Sequence, residues 1–221
     1  MTSPLQSYQN DLSQGLIRPD AEQAQAVAAL QSLYDQLTSK PEKLSGLSAR
    51  LSEFGRKLVG RRIEPPGIKG LYIYGGVGRG KTYLMDTFYE CLPFEKKQRT
   101  HFHRFMQQVH TELAGMKQQK NPLEVVASGI AAKARVLCFD EFFVSDIGDA
   151  MILGGLLEHL MAEGVVLVAT SNIHPDELYA NGLQRDRFLP AIRLLHQHTI
   201  IFRLAGGVDY RLRALKQAWQ Y

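Results

Sequence analysis

The apolar run Leu71-Tyr72-Ile73-Tyr74 passes without a break into Gly75-Gly76-Val77-Gly78-Arg79-Gly80-Lys81-Thr82. No other stretch restricts the fold of this chain so tightly. The apolar run reads as a buried strand. Beyond the glycines, Leu84, Met85, Phe88, Tyr89 and Leu92 recur at helical spacing, and Pro93 stops the pattern. Strand, Gly-x4-Gly-Lys-Thr and helix in that order form the P-loop pattern in the context it requires. The chemistry explains the residue types. A polyphosphate is wrapped by successive backbone N–H groups, so the chain must bend without Cβ clashes, and glycine allows this. The helix that follows turns its free N–H groups and positive dipole end toward the anion. Lys81 is expected to reach the β- and γ-phosphates as a point charge, and the Thr82 hydroxyl to ligate Mg²⁺.

The pattern beyond the loop alternates strands and helices, which implies a parallel sheet covered on both faces. Thr100–Phe105 reads as a strand, followed by Val109, Leu113 and Met116 at helical spacing. Asn121-Pro122 opens another helix, with Asn as cap and Glu124 three residues on. Val136–Phe139 reads as a buried strand, 146–163 as a helix closed by Gly164, and Val165–Thr170 as a strand. A short helix near Pro175, a helix over about Asp186–Gln197 and a strand over Thr199–Leu204 complete the order. The expected fold is α/β: five strands in one parallel sheet, with helices on both faces.

Two further strand ends carry chemistry. Val136-Leu137-Cys138-Phe139 ends in Asp140-Glu141. At the carboxyl end of a strand these carboxylates emerge in the crevice where open α/β sheets bind ligands. Asp140 suits the Mg²⁺ shell, and Glu141 suits orientation or deprotonation of an attacking water. The strand to Thr170 runs on into Ser171-Asn172. The Asn172 amide can hold that water, or can cap the following turn. Arg185 and Arg187 flank Asp186 at a helix start, where the helix dipole disfavours positive charge. They either pair with Asp186 or Glu177, or one of them serves as an arginine finger on a neighbouring subunit. His101 and His103 would share one face of a strand, and His196 and His198 stand at a helix end; structural roles are expected for both pairs.

The region before Pro65 is different. Asp20–Thr38 reads as a helix with Val27, Leu30, Tyr34 and Leu37 on one face. Between Lys40 and Gly70 there are eight basic residues and three acidic ones, against a net charge of +4 for all 221 residues. Leu44, Leu47, Leu51, Phe54 and Leu58 form an amphipathic seam in that basic stretch, weakened by Gly46 and Gly55. The seam fits an anionic membrane surface or acidic partner, or the chain's own core with a solvated basic face. Pro65-Pro66-Gly67 marks a boundary, giving an N-terminal helical region at 1–64 and a nucleotide-binding core at 65–221. With 45% hydrophobic and 22% charged residues, a wholly disordered chain is excluded. No apolar run approaches the roughly 18 residues that cross a bilayer. Met1–Asn10 lacks the marks of a secretory signal, and two unpaired-looking cysteines, Cys91 and Cys138, suit a reducing cytosol. No Asn-Lys-x-Asp segment reads guanine, and the chain has no room for a second helicase lobe.

Taken together, these residues resemble the AAA+ ATPases, and more closely their AFG-type family. The matching stretches are GLYIYGGVGRGKTYLMDTFY (70–89), HFHRFMQQVH (101–110), LCFDEFFVSDIGDAMILGGLL (137–157), LVATSNIHPDELYANGLQRDRFLPAI (167–192) and GVDYRLR (207–213). The resemblance implies a P-loop fold of the AAA+ type and ATP hydrolysis with Mg²⁺ in a homo-oligomer. It further implies a cell-division role at the division ring, on the tubulin-like protein FtsZ, in the cytoplasm with peripheral contact at the inner membrane. Lys81 and Thr82 match the family's Walker A positions, Asp140 and Glu141 Walker B, Asn172 sensor 1, and Arg187, ahead of Arg185, the arginine-finger context Arg-Phe. Such modules carry a helical lid after the last core strand. Here only Ala205–Tyr221 follow it, so the lid is expected to be short or missing and the chain to be a truncated piece or a short relative. The alternative is an ATP-switched nucleic-acid-binding module such as a helicase loader, which the basic stretch favours; overall, nucleic acid is the less expected partner.

Overall fold

In a computed structural model, which describes residues 2–39, 67–116 and 119–205, the strand before the glycine loop lies inside a five-stranded sheet. The strands are β1 (Gly70–Gly75), β2 (Lys97–His101), β3 (Val136–Asp140), β4 (Val166–Ser171) and β5 (Thr199–Leu204). Their order is β2-β3-β4-β1-β5, and every neighbouring pair is parallel. The helices are α1 (Pro4–Ser13), α2 (Ala21–Thr38), α3 (Lys81–Cys91), α4 (Phe102–Gly115), α5 (Pro122–Lys133), α6 (Ile147–Ala162) and α7 (Leu189–His198). Single 3-10 turns stand at Pro175–Glu177 and Arg185–Arg187.

Successive side chains of a strand point to opposite faces, so each central strand feeds two cores. Leu71, Ile73, Val136, Cys138, Val166 and Val168 pack on one face against Tyr8 of α1, Leu30, Leu33 and Leu37 of α2, and Leu84, Met85 and Phe88 of α3. Tyr72, Leu137, Phe139, Leu167 and Ala169 pack on the other face against α4, α5, α6 and α7. Both faces are covered, which is why β1, β3 and β4 read as continuous apolar runs. The expected α/β sheet with helices on both faces is what forms.

Two local expectations are corrected. The second strand is Lys97–His101 and not Thr100–Phe105. It is an edge strand with its first four residues only half buried, so its sequence KQRTH carries no apolar run. Phe102, Phe105, Met106 and Val109 follow helical spacing from the start and are buried in α4. His101 therefore ends a strand and His103 sits in a helix; they do not share a strand face. Asn121 does stand at the start of α5, but with φ of 58° and no capping bond. Its amide donates instead to the Glu124 carboxylate at 3.3 Å. An unexpected helix, α1, has Pro4 in its first turn and a reciprocal capping box between Ser3 and Gln6.

α2 packs directly on β1 and β5, and α1 packs on α2 and α3. Tyr83 of α3 donates from its hydroxyl to Asp11 Oδ2 at 2.5 Å. Arg135 donates to the Leu37 carbonyl at 2.9 Å, and the Ala205 N–H to Glu22 Oε2 at 2.6 Å. The basic seam at 44–58, the boundary near Pro65 and the stretch 207–213 lie outside the described residues.

Burial on this scale makes α2 a structural load on the sheet. Leu30 is 1% exposed, so Leu30→Ala should cost about 2–5 kcal/mol in urea unfolding. Leu183→Ala, at a side chain 75% exposed, should stay within about 0.5 kcal/mol.

Candidate active site

The loop after β1 is shaped by contacts that exclude side chains. A Cβ on Gly75 would stand 2.1 Å from the Leu204 carbonyl oxygen at the end of β5. Gly80 has φ of 82° and is the N-terminal cap of α3, a left-handed position that favours glycine. Behind the loop, Gln23 of α2 is 2% exposed and donates from Nε2 to the Arg79 carbonyl at 3.1 Å. Lys81 folds back over the loop, with Nζ donating to the Gly75 carbonyl at 2.6 Å and to the Gly76 carbonyl at 2.7 Å. The loop thus presents backbone and the Lys81 ammonium at the head of a helix.

β1 and β3 are not adjacent; β4 lies between them. The ends of these three parallel strands open on one cavity of about 540 Å³. It is lined by Val77, Gly78, Arg79, Gly80, Lys81 and Thr82 of the loop, by Asp140 and Glu141 after β3, and by Thr170, Ser171 and Asn172 at the end of β4. Gly75 and Gly76 line the adjoining cavity, of about 440 Å³, which Arg79 and Asn172 share. The structure therefore brings the predicted loop, carboxylates and amide together.

The two carboxylates are held differently. Asp140 is 8% exposed. Its Oδ2 accepts from Arg99 Nε at 2.7 Å, while Oδ1 is buried without a hydrogen-bond partner among the described residues. Arg99 also pairs with Asp86 of α3. Desolvation pulls the Arg99 pKa down, and the bonds to Asp140 and Asp86 more than reverse it. The Glu141 side chain is 81% exposed, and its backbone takes a left-handed φ of 55°. A non-glycine residue held there costs about 1–3 kcal/mol, and such strain gathers at working sites. β4 holds it in place: the Glu141 N–H donates to Thr170 Oγ1 at 3.3 Å, the Phe142 N–H to the Thr170 carbonyl at 2.7 Å, and the Ser171 hydroxyl to the Phe142 carbonyl at 2.7 Å.

Arg187 lies elsewhere. It is exposed, on the 3-10 turn before α7, and lines neither of these cavities. Arg185 is more enclosed and donates to the Asp176 carbonyl at 2.6 Å. His196 completes that corner, its Nε2 2.7 Å from Asp176 Oδ1; this bond holds the Asp176 carboxyl below its usual range. His110, Asp146 and Asp149 form a grouping that could hold a metal. Their atoms are already engaged: His110 with Asp149 at 2.7 Å, and Asp146 Oδ1 as acceptor for the first N–H groups of α6. Arg99, Thr170 and Ser171 were not singled out from sequence as site residues. Thr170 and Ser171 were legible as the polar end of an apolar strand, whereas Arg99 sits in a polar edge strand with no such signal.

Oxygen donors suit Mg²⁺. The Thr82 hydroxyl and the Asp140 carboxylate, with its orphaned buried Oδ1, fit that ion.

A phosphate loop on a central parallel strand, with an acidic pair two strands away across a polar strand end, defines the P-loop fold of the AAA+ type. The family model described as AFG1-like ATPase matches residues 2–221, and the chain belongs to that family. The Escherichia coli (strain K12) cell division protein ZapE is 52% identical over 219 residues, covering 98% of this chain and 58% of that protein. A Schizosaccharomyces pombe protein, C115.02c, is 39% identical over 95% of this chain and 51% of its own length. The chain thus spans little more than half of these relatives. AMPPCP-bound DnaA from Aquifex aeolicus shares the fold at a TM-score of 0.56 and 13% identity, over 92% of this chain and 53% of that one.

Because Thr170 is the acceptor for the Glu141 N–H, Thr170→Val should unseat the carboxylate without touching the loop. Nucleotide affinity by fluorescence titration should hold within about twofold, and ATP turnover should fall about tenfold, or roughly 1.4 kcal/mol.

Proposed function

We propose that this chain binds ATP with Mg²⁺ in the Gly75–Thr82 loop and hydrolyses it between subunits of a homo-oligomer. The observation that carries the reading is the single cavity lined by the loop, by Asp140 and Glu141, and by Asn172. Backbone N–H groups of Gly76, Val77, Gly78, Arg79 and Gly80 and the head of α3 wrap the phosphates. Lys81 leaves the loop carbonyls and places its charge on the β- and γ-phosphates. Thr82 and Asp140 would hold Mg²⁺, which would supply positive charge to the phosphate oxygens. Glu141, exposed and fixed by Thr170, orients the attacking water and accepts its proton. The Asn172 amide, on the same cavity, holds the water or the γ-phosphate oxygen.

Arg187 is the candidate finger for a neighbouring subunit. Its exposure supports this, as does the engagement of Arg185 with Asp176 inside its own subunit. The wider role is that of a remodelling factor on a protein partner in cell division, supported by the relationship to E. coli ZapE. FtsZ as that partner, and peripheral contact with the inner membrane, rest on the family resemblance alone. No helix among the described residues is long and apolar enough to cross a membrane.

Purified chain should release phosphate from ATP only with Mg²⁺. Lys81→Ala should weaken ATP binding at least tenfold. Glu141→Gln should bind ATP normally yet lose about a hundredfold or more in turnover. Wild-type rate per subunit should rise with protein concentration and Arg187→Ala should stay low and flat. Unchanged turnover in both Lys81→Ala and Glu141→Gln would refute the reading.

A further inference from the structure

The two oxygen donors for Mg²⁺ come from different elements. Thr82 lies in the first turn of α3, and Asp140 ends β3. Catalysis needs both in fixed mutual geometry, and one side chain joins the two elements. Arg99 stands on β2, whose register puts it beside Cys138, two residues before Asp140. From there its Nε reaches Asp140 Oδ2 at 2.7 Å and its Nη1 reaches Asp86 Oδ1. Asp86 lies in α3 one helical turn beyond Thr82, on the same side of the helix. The guanidinium therefore links the helix that carries the hydroxyl to the strand that carries the carboxylate.

We propose that Arg99 is the positioning residue for the metal site: it anchors Asp140 by one oxygen, leaves the other to the Mg²⁺ shell, and fixes that carboxylate relative to Thr82 through Asp86. This rests on the reading of the loop as an ATP·Mg²⁺ site. Three observations carry it. The Asp140 carboxylate is divided, with Oδ2 bonded to Arg99 and Oδ1 buried and unpartnered among the described residues. The pairing is shielded, with side-chain exposures of 21% for Arg99 and 11% for Asp140. Arg99 also lines the cavity that holds Lys81 and Thr82. Only a planar fork can hold two carboxylates in a set orientation; an ammonium is a point charge without that geometry. Partners that orient metal ligands are typically worth 10–100-fold in metal affinity.

The test is the ratio of affinities for a fluorescent, non-hydrolysable ATP analogue measured with Mg²⁺ and with EDTA. That ratio is the coupling between metal and nucleotide. In Arg99→Gln it should fall about tenfold, while affinity in EDTA stays within about threefold. Arg99→Lys should also lose coupling, because charge alone does not restore the fork. Asp86→Asn should move the ratio the same way by a smaller factor. Its side chain is 45% exposed, so this variant should fold and decides the matter if Arg99→Gln melts. An equal loss in Mg²⁺ and in EDTA would mean that Arg99 binds phosphate directly, and the proposal would be wrong. An unchanged ratio in folded Arg99→Gln, or in Asp86→Asn should the first not fold, would also overturn it and leave the ATP site standing. A wild-type chain that binds no analogue under either condition would remove both.

Discussion

An anion cradle made of backbone has to be held from behind, because glycine supplies no side chain to stiffen it. That requirement organises the rest of this molecule. The loop leaves β1 so close to the end of β5 that a Cβ on Gly75 would meet the Leu204 carbonyl oxygen. Gln23 of α2 grips the loop through the Arg79 carbonyl. α3 is seated by Leu84, Met85 and Phe88 in the same buried layer as α2. The N-terminal helices are therefore part of the phosphate site's support, although no residue of theirs lines the cavity. A rigid scaffold around a bare loop is what lets binding energy go into orientation and not into ordering the loop.

Legibility in the sequence followed burial. β1, β3 and β4 are covered on both faces, so their apolar runs were plain, and the chemistry at their ends could be read with them. β2 is an edge strand of half-buried polar residues, so no apolar run marks its position or singles out Arg99. α1 was missed because its residues are mostly polar, even though Ser3-Pro4 and Gln6 spell a capping box. In sequence only the Arg-Phe context of the family resemblance puts Arg187 ahead of Arg185. Only three-dimensional placement separates the one bonded to Asp176 from the exposed one.

β4 does more than separate the phosphate strand from the acidic strand. Thr170 and Ser171 take up the backbone just beyond β3 through the Glu141 N–H, the Phe142 N–H and the Phe142 carbonyl. The next residue, Asn172, enters the cavity itself. One strand end thus fixes the position of the exposed carboxylate and supplies the amide beside it. A shift of β4 would move both together, so the amide and the exposed carboxylate are mechanically one unit.

Asp140 and Glu141 are neighbours in sequence with opposite surroundings, and this separates their roles. Asp140 is buried and charge-paired with Arg99, which holds its carboxylate still, as the proposed metal ligand requires. Glu141 is turned out of the strand by its left-handed backbone and left 81% exposed, with His101 Nδ1 4.0 Å away. A carboxylate in that position can reorient without breaking a buried ion pair. Exchanging the two residues would place the longer side chain in the closed slot and the shorter one at the mouth. Composition and net charge would be unchanged, yet the buried carboxylate would be strained and the exposed one drawn back from the cavity mouth. The function lies in the environment each carboxylate is given, and that environment is set by β2 on one side and β4 on the other.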